Sequence, residues 1–153
     1  MGTTVYLRDG MGGAGSVFTV AVGQTIRLGR IIEFTADETV REGQANSAVV
    51  AGVATATQAR SLFQSDGVTA RADNTVYAGE LVSVSQYGIF RVPTDGFSSL
   101  AFGEGIICAA NGTPEKWAST DAADELIGRL MKEPYNVTVS GTSTEFVDIC
   151  LSL

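Results

Sequence analysis

Histidine is absent from the 153 residues. That absence excludes Ser-His-Asp triads, Cys-His dyads and the imidazole-based zinc and iron sites. Lysine is limited to Lys116 and Lys132 and the arginines are dispersed, so no basic cluster exists to hold a phosphate backbone. Ten basic against seventeen acidic residues leave a net charge of −7, which repels nucleic acid and anionic membrane; neither is expected as a partner. No apolar run approaches the roughly 20 residues of a membrane-spanning helix. The opening residues Met1, Gly2, Thr3 and Thr4 lack the basic and apolar regions of a secretory signal, so cytoplasmic synthesis is expected. Cysteine occurs twice, as Cys108 and Cys150, unspaced for zinc and set in apolar strand sequence. Both read as reduced, buried core thiols, with a bridge between them as the lesser alternative. No catalytic set, metal or cofactor is implied.

Charged residues make up 18% of the chain, proline is confined to Pro93, Pro114 and Pro134, and glycine is abundant at 18 residues. Low charge with many glycines and β-branched residues predicts an all-β protein, a small single-domain β-barrel or β-sandwich with at most one short helix. The length suffices to bury a core without disulfide or metal staples. Residues 1–15 read as a Gly-rich N-terminal arm, carrying the apolar trio Val5, Tyr6 and Leu7, and residues 16–153 as one β-domain.

Residues 76–92 organise the rest. Val82 and Val84 alternate with Ser83 and Ser85, the period of a half-buried strand, between a turn at Ala78-Gly79-Glu80 and a second strand starting near Ile89. The opening pattern, apolar-x-x-Gly-charged-apolar, occurs three times: at Ile26 with Gly29, at Val76 with Gly79, and at Leu100 with Gly103, the last with Gly105 as an inserted residue. Unequal intervals exclude a solenoid. The pattern predicts one sharp corner used three times, with Gly29, Gly79 and Gly103 as its structural glycines.

Elsewhere, residues 16–22 alternate with Phe18, Val20 and Val22 on one face, and residues 47–59 read as a strand with Gly52 in its middle. Residues 120–125 predict one helical turn at most, followed by a strand over 126–132. A further strand spans 136–139, and after a turn the closing run puts Val147, Ile149, Leu151 and Leu153 on one face, with Asp148, Cys150 and Ser152 on the other.

Several motifs have ordinary readings. Gly10, Gly12 and Gly15 match a dinucleotide fingerprint, but strand sequence follows where a helix is required. The pairs Asp37-Glu38 and Asp124-Glu125 read as solvated loop charges, since neighbours on an extended chain face opposite ways. Lys116 and Lys132 sit in polar settings unsuited to a Ser–Lys pair. Trp117, beside a turn, reads as a ring capping the core.

The segments at 76–82, 88–92, 103–107 and 127–128, together with the final strand at 146–153, resemble the small head decoration, or capsid cement, proteins of tailed bacteriophages. The resemblance covers most of residues 20–153. It implies a non-enzymatic virion protein on the outer capsid surface, usually a trimer, that bridges neighbouring major capsid protein subunits. The arm matches no shared motif; by composition Thr3, Thr4, Val5, Tyr6 and Leu7 are the candidate capsid-contact residues, adding to coat strands by main-chain pairing. The alternative is a β-domain on a virion or cell surface that binds carbohydrate or a receptor, for which Tyr87, Phe97, Trp117 and Tyr135 are the candidate ring residues.

Overall fold

A computed structural model of the chain describes residues 16–57, 63–64, 66–72, 74–96 and 99–153. The arm, with Thr3, Thr4, Val5, Tyr6 and Leu7, lies outside the described residues, as does Phe97. The fold is all-β. Seven strands come from the first half: β1 (Ser16–Val20), β2 (Thr25–Arg27), β3 (Ile31–Ala36), β4 (Thr39–Glu42), β5 (Val50–Thr57), β6 (Thr75–Tyr77) and β7 (Leu81–Ser85). Five come from the second: β8 (Tyr87–Pro93), β9 (Gly105–Cys108), β10 (Pro114–Lys116), β11 (Gly128–Val139) and β12 (Thr142–Ser152).

Strands β1-β4-β3-β5-β7 form a closed barrel. Closure comes from β1, which runs antiparallel to β7 with Phe18 opposite Val82 and parallel to β4 with Val20 opposite Val40. β2 and β6 make a separate two-stranded ribbon. The second half forms a five-stranded sheet in the order β10-β9-β11-β12-β8.

Alternation in the sequence explains two cores. Phe18, Val20, Ile26, Ile32, Val40, Val76, Val82 and Val84 fill the barrel, where Phe18 meets Phe34 edge to face at 5.1 Å. Val92, Leu100, Ile106, Ile127, Leu130, Val147, Ile149 and Leu151 build the second core on the sheet, and Ile31 and Val53 join it from the barrel side. Arg30, nearly buried, ties the halves together: its guanidinium donates to both carboxylate oxygens of Asp95 at 2.7 and 2.8 Å and to the Asn111 carbonyl at 3.1 Å.

The three corners share one geometry. Gly29, Gly79 and Gly103 have φ of 86°, 80° and 83°, as the third position of a type II turn requires. Each turn is clamped to a neighbouring strand by two main-chain hydrogen bonds. Gly29 N–H donates to Ala54 O and Ala54 N–H to Arg30 O; Gly79 pairs likewise with Val20 through Glu80, and Gly103 with Leu130 through Glu104, all at 2.7–2.9 Å. A carboxylate completes each corner. Glu80 accepts from Tyr77 N–H at 2.7 Å and Glu104 from Ala101 N–H at 2.9 Å, whereas the first corner, which has Arg30 in that place, borrows Glu42 to accept from Arg27 N–H at 2.9 Å.

The clamps correct several expectations. Gly105 is no insertion: it opens β9 where Ile31 opens β3 and Leu81 opens β7, two residues past each corner glycine. A side chain there is disfavoured, because its Cβ would lie 2.8 Å from Leu126 Cδ1 and 3.3 Å from Trp117 Cβ and the leucine would have to move aside. Val22 leaves the core face and is 95% exposed, because β1 ends at Val20 and Val22 tips the turn closed by Gln24 N–H to Ala21 O. Leu153 is exposed for the same reason, one residue past β12. The strand expected over 126–132 begins at Gly128, after a 3-10 turn at Ala123–Glu125, and continues unbroken to Val139. Pro134 does not interrupt it, since register shifts on either side of Lys132 place the proline in a bulge. Cys108 is buried as expected, but Cys150 is only half-buried on the outer face of β12; both thiols are free.

The Glu80 carboxylate makes stability pH-dependent. Two hydrogen bonds from Arg71, aided by Tyr77 N–H, hold Glu80 below its ordinary value of 4.5, with burial opposing. A folded value below the unfolded one contributes stability that is present above about pH 4.5 and is lost as pH falls through the folded value. Relief of the general −7 repulsion acts the other way, so the comparison is between variants. Glu80→Gln is expected to lose less stability than wild type between neutral and acid pH, measured as urea midpoints; parallel curves would exclude the mechanism.

Candidate interaction surface

The outer face of the five-stranded sheet gathers residues from three strands. Across the register, Ile89 on β8 lies opposite Cys150 on β12, which lies opposite Arg129 on β11; one step further, Arg91, Asp148 and Lys132 align in the same way. At one end an open groove of about 350 Å³ is lined by Leu126, Gly128, Arg129, Met131, Cys150 and Ser152. Exposed Ile89, Tyr87 and Leu153 stand along neighbouring strand ends. At its floor β11 and β12 approach closely, since a Cβ on Gly128 would lie 2.1 Å from Cys150 O.

The other end of the face is polar. Tyr135 O–H donates to Asp148 Oδ1 at 2.6 Å and accepts from Arg91 Nε at 2.9 Å. The Arg91 guanidinium lies 5.7 Å from the Tyr135 ring and 5.6 Å from the Phe146 ring, and Lys132 Nζ stands 4.1 Å from the centre of the Tyr135 ring. Burial, then the hydrogen bond to Asp148, push the Tyr135 phenol above its usual range. This ring is already occupied by its own neighbours. Trp117 is half-buried against the start of β9 and its Nε1–H donates to Ala122 O at 3.3 Å, so it caps packed structure. Of the described rings proposed for a ligand, Tyr87 is the one with an open face, at 40% exposure.

The remaining candidates stay apart. Asp37 and Glu38 form the two-residue tip between β3 and β4, with Glu38 at φ 62°. Asp124 and Glu125 sit in the 3-10 turn, where Glu125 and Asp121 share the Asn46 amide at 3.0 and 3.2 Å. Lys116 is paired with Glu104 at 2.6 Å. Among the described residues no group of three or more His, Cys, Asp or Glu side chains is placed to hold a metal ion, and no helix is long and apolar enough to cross a membrane. The Gly10, Gly12 and Gly15 motif lies outside the described residues, and the segment after it is strand β1.

Sequence reasoning missed this face. Ile89 and Met131 look like core residues in the sequence, and the only hint was that Cys150 falls on the opposite parity to Val147, Ile149 and Leu151. The two thiols differ accordingly. Burial, with the Glu33 charge adding to it, pushes the Cys108 thiol up to about 12. Titration with a disulfide reagent at mild alkaline pH is therefore expected to find Cys150 reactive in the folded chain and Cys108 only after denaturation. Equal reactivity of both in the folded state would contradict the placement.

No family model matches the chain, and no curated protein matches it. Among solved structures it is similar to the head fiber gp8.5 N base of bacteriophage phi29, at 16% identity and a TM-score of 0.44, over 90% of this chain and 96% of that one.

Proposed function

We propose that this is a structural protein of a phage virion that binds the outside of the mature head as a homotrimer and cements neighbouring major capsid protein subunits. The observation that carries the reading is the thrice-repeated clamped corner. Its second and third copies are the segments at 76–82 and 103–107 on which the resemblance to head decoration proteins rests, and the copies at Gly29, Gly79 and Gly103 share turn type, clamp and carboxylate. The reading assigns the chain no chemistry. The acidic balance suits a position away from packaged DNA. A ligand that binds the expanded shell and not its precursor stabilises that shell by its binding energy, multiplied over many sites. The carbohydrate reading is weaker, because the Tyr135 and Trp117 rings are engaged within the protein.

The test is co-sedimentation with expanded, undecorated heads, using the full chain, a chain lacking residues 1–15, and Ile89→Glu on the sheet face. Saturable binding supports the reading. Loss on removing residues 1–15 would place the contact at Thr3, Thr4, Val5, Tyr6 and Leu7, and loss in Ile89→Glu would place it on the sheet. Failure of the full chain to bind would overturn the proposal.

A further inference from the structure

The hairpin of β11 and β12 runs past the sheet that holds it. On one side β8 ends at Pro93, opposite Phe146; on the other β9 leaves β11 after Arg129. Residues 136–145 therefore pair with one another, from Asn136 opposite Glu145 to Val139 opposite Thr142, around a two-residue turn whose Ser140 and Gly141 have φ of 49° and 80°. In a hairpin of this class the residues flanking the turn bond each other, so the main-chain groups of Asn136 and Thr138 point away from β12. The alternation is fixed on the opposite side, where Glu145 O points outward and accepts Thr94 N–H at 3.1 Å. The outward edge at Asn136 and Thr138 has no main-chain partner among the described residues.

Exposed edges invite strand addition, and proteins normally blunt them with charge, proline, brevity or closure. This chain does so elsewhere. The barrel has no edge, β10 is three residues long and begins with Pro114, and β8 carries Arg91 and ends at Pro93. Residues 136–144 contain neither charge nor proline, and Val139 is 66% exposed. The same neutrality identifies the occupant. A cationic partner would be drawn to carboxylates, of which the ribbon has only Glu145 at its base, already accepting the Thr94 hydroxyl at 2.7 Å, whereas two copies each carrying −7 approach at least cost along the uncharged residues 136–144.

We infer that residues 136–145 are the element through which copies of this chain join, a second copy's ribbon pairing with the main-chain groups of Asn136 and Thr138. The inference rests on the proposed function only in supposing that copies associate. Sedimentation velocity of the full chain, Thr138→Pro and Thr138→Glu tests it, with far-UV circular dichroism confirming the fold of each. Proline at 138 removes an N–H that the hairpin itself does not use, and glutamate places charge on the edge while keeping that N–H. The expected result is an oligomeric wild type and association weakened about tenfold or more in both variants. A monomeric wild type, or unchanged association in both variants, would overturn the inference. So would loss of head binding with the oligomer intact, which would put a coat strand on the ribbon. Loss of association in variants of a wild type that never binds heads would support the inference and count against the head reading alone.

Discussion

Gly52→Ala and Gly128→Ala are each expected to lose about 3 kcal/mol or more, which lowers the folded-to-unfolded ratio by about a hundredfold or more. In both cases a Cβ would penetrate the neighbouring strand, 2.2 Å from Ser85 O at position 52 and 2.1 Å from Cys150 O at position 128. These are backbone oxygens inside hydrogen-bonded sheets, so neither can swing aside. Gly52 adds a φ of 146°, while Gly128 carries no such strain and isolates the steric term. The corner glycines isolate the opposite term. Gly79 and Gly103 have positive φ, but a Cβ would meet nothing within 4 Å, so Gly79→Ala and Gly103→Ala are expected to cost only the left-handed penalty of about 1–2 kcal/mol. Urea unfolding of the four variants gives the ranking. Equal costs at 103 and 128 would mean that β11 and β12 do not approach as closely as described.

The second large effect concerns Glu33, a nearly buried carboxylate in the barrel wall. Its Oε1 accepts from Arg41 Nε at 2.7 Å, and its other oxygen takes only the Gln44 N–H at 3.3 Å. Removing one member of such a pair leaves a charge in a poor environment, but the Arg41 side chain is 39% exposed and water screens part of the loss, so Arg41→Met is expected to cost about 2 kcal/mol. The double variant Arg41→Met with Glu33→Gln removes the stranded charge while keeping an acceptor, and is expected to recover much of that loss. Additive costs in the double-mutant cycle would show that the two side chains are not coupled.

How much of this could be read in advance depended on the range of the interaction. Period-two alternation is local, and it identified the buried faces around Val82, Val84, Val147, Ile149 and Leu151. Failures came where strand ends or partners decide. Val22 and Leu153 continue the alternation in sequence but lie one or two residues beyond the ends of β1 and β12, where the sheet no longer covers their side chains fully. Gly105 looked like an insertion because glycine was counted as part of the corner, whereas its reason is the Leu126 and Trp117 side chains more than ten residues away. Strand β11 reads as two in the sequence, over 126–132 and 136–139, because a single sequence does not show the bulge that carries Pro134 between them. The sheet face with Ile89, Met131 and Cys150 was hidden for a related reason: apolar residues on an unpartnered face carry the same letters as core residues.

The division of the two cores along the chain bears on the order in which the protein is made. Every barrel strand lies within residues 16–85, and every strand of the larger sheet within 87–152. During vectorial synthesis β1 waits for β7, some sixty residues later, and the barrel then has all its strands before the first sheet strand has left the ribosome. The sheet has no such independence, since its core takes Ile31 and Val53 from the barrel side and its latch, Asp95, needs Arg30 already in place. The second half therefore emerges onto strands that already carry part of its core and the partner of its latch.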